Sequence, residues 1–363
     1  MTHAEIVEEL LAFIAMDGAG EAAGEAAFTA MALKVFAYQF EHNAAYRRFA
    51  VQRGRTPRSV RGWRDIPAVP ISAFKDLTLS CRPPEEAVRV FMTSGTTRGG
   101  VRGRSYHATL AVWERSMTQT FRRHVMAGRE RMPMGILFPT EAAMPNSSLA
   151  CYLALAVRAF GTADSAWLVG EGGLDVERLV AMLERAEAAG APLALMGASF
   201  SFVHAMDALA ERGRTVALPA GSLILDTGGF KGQSREMAPD AFYDRLAAGF
   251  GVPRERCINM YGMTELSSQF YDAGNAVCPS VKAGPHWVRT RAVDPLTGAD
   301  VPFGTPGVLV HHDLAHGNSV SAILTEDAGV MVEGGFQLLG RADGAEAKGC
   351  SMAVAEFLAA AQA

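Results

Sequence analysis

Leu223-Ile224-Leu225-Asp226-Thr227-Gly228-Gly229-Phe230-Lys231-Gly232 reads as a short buried strand running directly into a glycine-rich turn. Glycines at the carboxyl end of a strand let a ligand approach the backbone, and open α/β sheets bind ligands at that edge. Taken alone, the stretch also fits a plain strand-to-helix turn. Working outward, further apolar runs stand at Met134–Phe138, Ala166–Val169, Leu193–Met196 and Ile258–Met260. Helical patterns separate them, as in Leu179, Met182, Leu183 and Ala186, closing at Gly190. Strands alternating with helices from about 88 to 265 predict βαβ units and a mostly parallel sheet.

Upstream, Ile6, Leu10, Phe13 and Ile14 follow a helical period, and so do Phe28, Ala32, Val35 and Phe36. Trp63 to Phe74, with Pro67 and Pro70, reads as an extended connection. Downstream of about 284 the pattern changes to short antiparallel strands at Val308–Val310, Val320–Leu324, Val330–Val332 and Phe336–Leu339. Gly334-Gly335 is the hairpin signal between the last two. The expected organisation is an α/β body with N-terminal helices over 1–283 and a small β-rich subdomain over 284–363, ending in a short helix at Ala353–Ala361.

Bulk properties narrow the class. A chain of 363 residues with net charge −4 and 20% charged residues has the composition of a globular enzyme, with nothing that marks a nucleic-acid-binding or membrane surface. No apolar run reaches the about 18 residues of a membrane span. The five cysteines, Cys81, Cys151, Cys257, Cys278 and Cys350, are odd in number and form no CxxC pair. A disulfide framework or zinc site is therefore not expected, and a reducing compartment fits. The N-terminus lacks a basic region before an apolar run, so a cytoplasmic location is expected.

Four stretches carry chemistry. Thr93-Ser94-Gly95-Thr96-Thr97-Arg98-Gly99-Gly100 follows the strand-like Val88–Met92. Its hydroxyls and backbone N–H groups suit phosphate oxygens, and Arg98, Arg102 and Arg104 add positive charge; a surface turn is the alternative. It is not a P-loop, because GxxxxGK[ST] is absent. The second stretch is the turn after Leu225. The third, Tyr261-Gly262-Met263-Thr264-Glu265, puts an aromatic face, a hydroxyl and a carboxylate at a strand end. Such a set suits a base, a phosphate oxygen and Mg²⁺ respectively. The fourth pairs Thr325-Glu326-Asp327 with Gly340-Arg341-Ala342-Asp343, a carboxylate and a guanidinium suited to ribose hydroxyls.

In this order the four stretches resemble the adenylate-forming superfamily of acyl-CoA synthetases, luciferases and peptide-synthetase adenylation domains. That family's motifs read, in order, [ST]SGT[ST]G, YGxTE, a TGD-like ribose motif and GRxD. The chain is more similar still to the LuxE-type acyl-protein synthetase branch. Phe36-Ala37-Tyr38-Gln39, Ile66 to Lys75, Pro145 to Leu149, Thr227 to Gly232 and Gly340 to Ser351 carry that resemblance. It implies an adenylate-forming N-terminal-domain-like fold, layered α/β sheets with a small β-rich subdomain, and ATP with Mg²⁺ as cofactors.

By residue, the resemblance implies that Thr93, Ser94, Gly95, Thr96 and Thr97 bind the ATP phosphates. Gly228 and Gly229 line the adenine pocket and Tyr261 stacks on the base. Thr264 contacts the α-phosphate, Glu265 holds the metal, and Asp327 and Arg341 fix the ribose. Cys350 stands where that branch carries the cysteine that accepts the acyl group as a thioester. The substrate expected is a carboxylic acid, with a fatty acid favoured, and the partner an acyl-accepting reductase or carrier protein.

Three departures bear on this reading. Arg98 replaces the last loop glycine. Lys348 lies one residue further from Asp343 than the superfamily's hinge lysine from its aspartate. The chain stops about where longer relatives begin a mobile C-terminal domain, whose lysine supports adenylation. Lys231, Arg102 and Arg104 are the candidate cations in its place. Two other functions remain open at this stage: an enzyme adenylating an aromatic or other small acid for a separate acceptor, and a non-catalytic nucleotide-binding relative.

Overall fold

A computed structural model describes residues 1–16, 24–94, 101–229, 234, 237–342, 352 and 355–360. They divide into two compact units, one made of 1–117, 263–268 and 283–363, the other of 118–262 and 269–282.

The second unit is built on one sheet. In spatial order its strands are Phe270–Tyr271, Cys257–Tyr261, Leu223–Thr227, Ala194–Ala198, Met134–Leu137 and Ala166–Trp167. The first pair is antiparallel and every other pair parallel. Leu223–Thr227 and Ala194–Ala198 are buried at every position, as parallel strands covered on both faces must be. Helices Val176–Ala189, Ser199–Glu211 and Pro239–Phe250 supply Leu183, Phe202 and Leu246 to one core cluster. The helix expected to close at Gly190 does so, with that glycine in the left-handed region at φ 60°.

The first unit begins with helices His3–Ala15, Glu25–His42 and Ala44–Gln52, matching the apolar periods of the sequence. The side chains of Thr2 and Glu5 reciprocally cap the first of these. Its main sheet carries Val288–Val293, Pro306–Asp313, Ala322–Val332 and Gly335–Arg341, each antiparallel to the next. The hairpin signal is placed as expected: Val332 pairs with Gly335 around Gly334 at φ 82°.

Three details differ from the sequence reading. The end of the run at Val320–Leu324 and the run at Val330–Val332 belong to one strand, Ala322–Val332, because Asp327 between them pairs with Arg341; register shifts at Val308/Val310 and Ala328/Gly329 absorb the irregularity. Val288–Val293 is a strand that Arg289 and Arg291 disguise. The supposed extended connection holds a 3₁₀ turn at Trp63–Asp65, the strand Val69–Pro70 and the helix Ala73–Asp76. Val69 pairs in parallel with Ile323, so the early chain is stitched into the late sheet. The division into units is accordingly interleaved, whereas the sequence reading made a single cut at 283/284.

Candidate active site

In the first unit, the strands Arg89–Met92 and Arg104–His107 pair as an antiparallel hairpin, with Met92 opposite Arg104. The presumed phosphate loop is therefore the connection of that hairpin. Thr93 and Gly103 close its base twice: the Thr93 N–H donates to the Gly103 carbonyl at 3.0 Å, and the Gly103 N–H donates to Thr93 Oγ1 at 3.0 Å. Ser94 is exposed, as are Arg102 and Arg104, while Gly103 between those arginines is buried. Gly95, Thr96 and Thr97 lie outside the described residues.

Glu265 reaches this base from a distant part of the chain. A Cβ on Gly103 would stand 3.1 Å from Glu265 Oε1 and 3.2 Å from Thr93 Cγ2. Thr264 and Glu265 occupy a turn closed by the Leu266 N–H on the Met263 carbonyl at 3.2 Å. The Glu265 side chain is buried, and burial pushes its pKa up to about 7 against the pull of its own backbone N–H and the charges of Arg341 and Lys75. A buried carboxylate at the edge of protonation is an oxygen ligand that a hard cation would hold ionised, so the residues present fit Mg²⁺.

Asp327 and Arg341 face each other across the Ala322–Val332 and Gly335–Arg341 strands. An Arg341 guanidinium nitrogen lies 3.5 Å from Asp327 Oδ1 and 3.5 Å from Glu326 Oε2. The Asp327 N–H is held on Thr325 Oγ1 at 3.0 Å, and that hydroxyl donates to the Leu309 carbonyl at 2.8 Å. The first unit thus brings Thr93, Gly103 and Glu265 together, with Asp327 beside Arg341, whose charge acts on Glu265.

In the second unit, Gly228, Gly229 and Tyr261 stand at the carboxyl edge of the parallel sheet. Thr227 is in register with Met260, and Thr227 Oγ1 donates to the Met260 carbonyl at 2.9 Å, which locks the two strand ends together. Gly228 has φ 75°, a conformation that only glycine adopts without strain. Gly229 is exposed, and a Cβ there would meet nothing within 4 Å. The Tyr261 ring is 9% exposed and tilts against Phe270 at 5.8 Å. Beneath the glycines, Asp226 accepts from Ser199 Oγ at 2.7 Å, Asn259 Nδ2 at 2.9 Å and the Tyr243 hydroxyl at 3.1 Å. Burial raises Asp226 to about 6 against those bonds.

Lys231 and Cys350 lie outside the described residues. Of the four described cysteines, Cys81, Cys151 and Cys257 are buried and Cys278 partly so. Burial raises the thiols of Cys81, Cys257 and Cys278, Cys257 to about 12. His107 and His316 are buried, and desolvation lowers both pKa values, His107 to about 4. His311 and His312 turn to different neighbours, Phe336 and Trp63, in keeping with their opposite faces on a strand. Among the described residues no group of three His, Cys, Asp or Glu forms a metal cluster, and no helix is long and apolar enough to cross a membrane.

Sequence reasoning passed over Gly103, Lys75, Asp226 and Asp313. Gly103 was legible only as a small residue between two arginines. Lys75 was quoted for its place in a signature, with no sign that its charge acts on Glu265.

Residues 17–359 match the family described as acyl-protein synthetase, LuxE. The long-chain-fatty-acid–luciferin-component ligase of Vibrio harveyi is 24% identical over 303 residues, covering 82% of this chain and 77% of that protein. Among solved structures the chain is similar to an open conformation of 2-hydroxyisobutyryl-CoA ligase in complex with 2-HIB-AMP and CoA. The TM-score is 0.63 at 16% identity, over 94% of this chain and 76% of the other. ATP-bound MatB from Rhodopseudomonas palustris gives a TM-score of 0.52 at 19% identity, over 72% of this chain and 49% of the other. These likenesses establish the adenylate-forming-enzyme fold, and with the match across nearly its whole length the chain belongs to the LuxE acyl-protein synthetase family.

Proposed function

We propose that the protein activates a fatty acid with ATP, releasing pyrophosphate, and then passes the acyl group from the adenylate to a thiol. The observation that carries this reading is the meeting of Glu265 with the closed base of the Thr93–Gly103 loop, in a chain whose family consists of acid ligases. As a member of that family the chain is an AMP-forming acid ligase. The Vibrio harveyi relative's name supports a long-chain fatty acid as substrate.

In the first step a carboxylate oxygen of the acid bonds to the α-phosphorus, and the bond from that phosphorus to pyrophosphate breaks in line. Such a reaction leaves the protein little covalent work, so its residues position the groups and stabilise charge. Thr93, Ser94 and the following loop are assigned to the phosphates, Thr264 to the α-phosphate, and Asp327 with Arg341 to the ribose. Gly228, Gly229 and Tyr261 are assigned to adenine. Glu265 would hold Mg²⁺, which when bound supplies positive charge to the phosphate oxygens. Lys75, whose charge acts on Glu265, joins Lys231, Arg102 and Arg104 as a candidate cation for the developing charge.

In the second step a thiolate attacks the acyl carbon and AMP leaves with its electron pair. Cys350 is the proposed acceptor. The raised thiols of Cys81, Cys257 and Cys278 support this assignment, because a thiol held protonated is a poor nucleophile. Delivery to a reductase or carrier protein follows. Incubation with ATP, Mg²⁺ and radioactive fatty acid tests the pair of steps. Hydroxylamine-sensitive label should appear on the protein and be lost in Cys350→Ser while pyrophosphate release continues; label that persists in that variant removes Cys350 from the scheme.

A further inference from the structure

Asp313 ends the Pro306–Asp313 strand, fully buried, with its backbone N–H on the Ser321 carbonyl at 2.7 Å. Its carboxylate collects four donors. Oδ2 accepts from the Ser267 and Ser268 N–H groups, each at 2.8 Å. Oδ1 accepts from Ser268 Oγ at 2.7 Å and the Ala315 N–H at 3.0 Å. The Ser268 hydroxyl is in turn fixed by Trp287 Nε1 at 2.9 Å and Ser116 Oγ at 3.1 Å. Ser267 Oγ also meets His316 Nδ1 at 2.9 Å. Three of the four donors on Asp313 thus come from the two residues that directly follow Thr264-Glu265-Leu266. Burying a carboxylate is costly, and here its two all-acceptor oxygens satisfy four donors at once.

We propose that Asp313 is the positioning residue for Glu265: by clamping Ser267 and Ser268 it sets the turn that aims the Glu265 carboxylate at the metal ion of the ATP complex. This rests on Glu265 being the metal ligand of the adenylation reaction proposed above. Partners that orient a ligand without touching the metal govern its affinity, and their loss costs on the order of 10–100-fold. An asparagine at 313 would turn an NH₂ group toward donors and push the turn away, without changing side-chain size.

The test is Asp313→Asn, read as the Mg²⁺ concentration giving half-maximal pyrophosphate release. The midpoint should rise about tenfold or more while kcat at saturating Mg²⁺ stays near that of the unaltered enzyme, even though the donors left unpaired lower the melting temperature by a few degrees. A purely structural role would lower the melting temperature and the active fraction and leave the Mg²⁺ midpoint in place, which overturns the proposal. Ser268→Ala, which keeps both backbone donors, covers the case in which Asp313→Asn does not fold. It should raise the midpoint a few-fold, and an unchanged midpoint overturns the proposal as well. Equilibrium dialysis of radioactive ATP against the protein at a series of Mn²⁺ concentrations reads the same step without turnover. Unaltered protein that binds Mn²⁺-ATP but turns over no acid defeats the adenylation reading and still measures the Asp313 effect. Unaltered protein that binds no Mn²⁺-ATP defeats both.

Discussion

Glu265 Oε1 lies 3.1 Å from the position a Cβ would take on Gly103, so the carboxylate rests on that buried glycine at the base of the hydroxyl-rich loop. Gly103→Ala fills that space and also crowds Thr93 Cγ2 at 3.2 Å. The backbone there needs no left-handed conformation, so the strain falls on the two side chains. Displacing a catalytic group by a fraction of an ångström to 1 Å costs up to about 10²-fold in rate. Gly103→Ala should therefore lower kcat/KM for pyrophosphate release about 10–100-fold with little change in melting temperature. Wild-type kinetics in this variant would remove the contact from the mechanism.

Glu265 gives a pH signature. Its pKa is raised by burial from 4.5 to about 7, so the folded protein holds a proton that the unfolded chain releases between those values. The carboxyl group is tolerated without penalty below pH 4.5, and the cost grows as pH rises toward 7 and is complete above it. In metal-free buffer, Glu265→Gln should be as stable as the parent near pH 4.5 and more stable at pH 8. The gain is on the order of 3 kcal/mol, since each unit of pKa is about 1.4 kcal/mol. Denaturant unfolding in the presence of a chelator checks this. Mg²⁺ with ATP should narrow the gap by stabilising only the parent. A variant less stable than the parent at pH 8 would contradict the burial argument.

Much of this was legible in the sequence because local chemistry and global position agree. Leu223–Thr227 and Cys257–Tyr261 are strands buried on both faces, and a continuous apolar run announces such a strand directly. Gly228 and Tyr261 follow from those strands, as residues at their carboxyl ends. What stayed hidden depends on distant partners. The polar Thr325-Glu326-Asp327 divides one strand into two apparent runs, yet the pairing of Asp327 with Arg341 across a bulged ladder keeps it in a strand. Gly103, Lys75 and Asp313 gain meaning only through Glu265 or its turn, at sequence separations that no period or motif spans. Cys350, Lys231 and the centre of the phosphate loop remain proposals carried by family resemblance.

Asp327 and Arg341 should separate nucleotide binding from folding. Their ion pair is half open to solvent, with Arg341 65% and Asp327 15% exposed, and pairs of that kind contribute no more than about 1 kcal/mol to stability. A carboxylate that accepts two ribose hydroxyls is worth more to ATP. Asp327→Ala should raise the KM for ATP at least about tenfold while shifting the melting temperature by only a few degrees, and Arg341→Ala should do the same to a smaller extent. An unchanged KM in both variants would move the ribose elsewhere.

Gly228 and Gly229 should respond in opposite ways. Alanine at Gly228 must adopt φ 75° and should destabilise the fold by about 1 kcal/mol. Alanine at Gly229 meets no neighbour within 4 Å and should leave stability unchanged. If adenine lies against that backbone, Gly229→Ala weakens ATP binding several-fold all the same. Equal ATP affinity in Gly229→Ala and the parent, measured by isothermal titration, would leave that glycine without the role assigned to it.

Pyrophosphate release measured against a panel of fatty, aromatic and short-chain acids with ATP and Mg²⁺ decides whether the protein is an acid ligase of this kind. Release should require a fatty acid, be matched by AMP formation, and fall at least about 100-fold in both Glu265→Gln and Asp327→Ala. Absence of acid-dependent release across the whole panel, or release undiminished in both variants, would contradict that assignment.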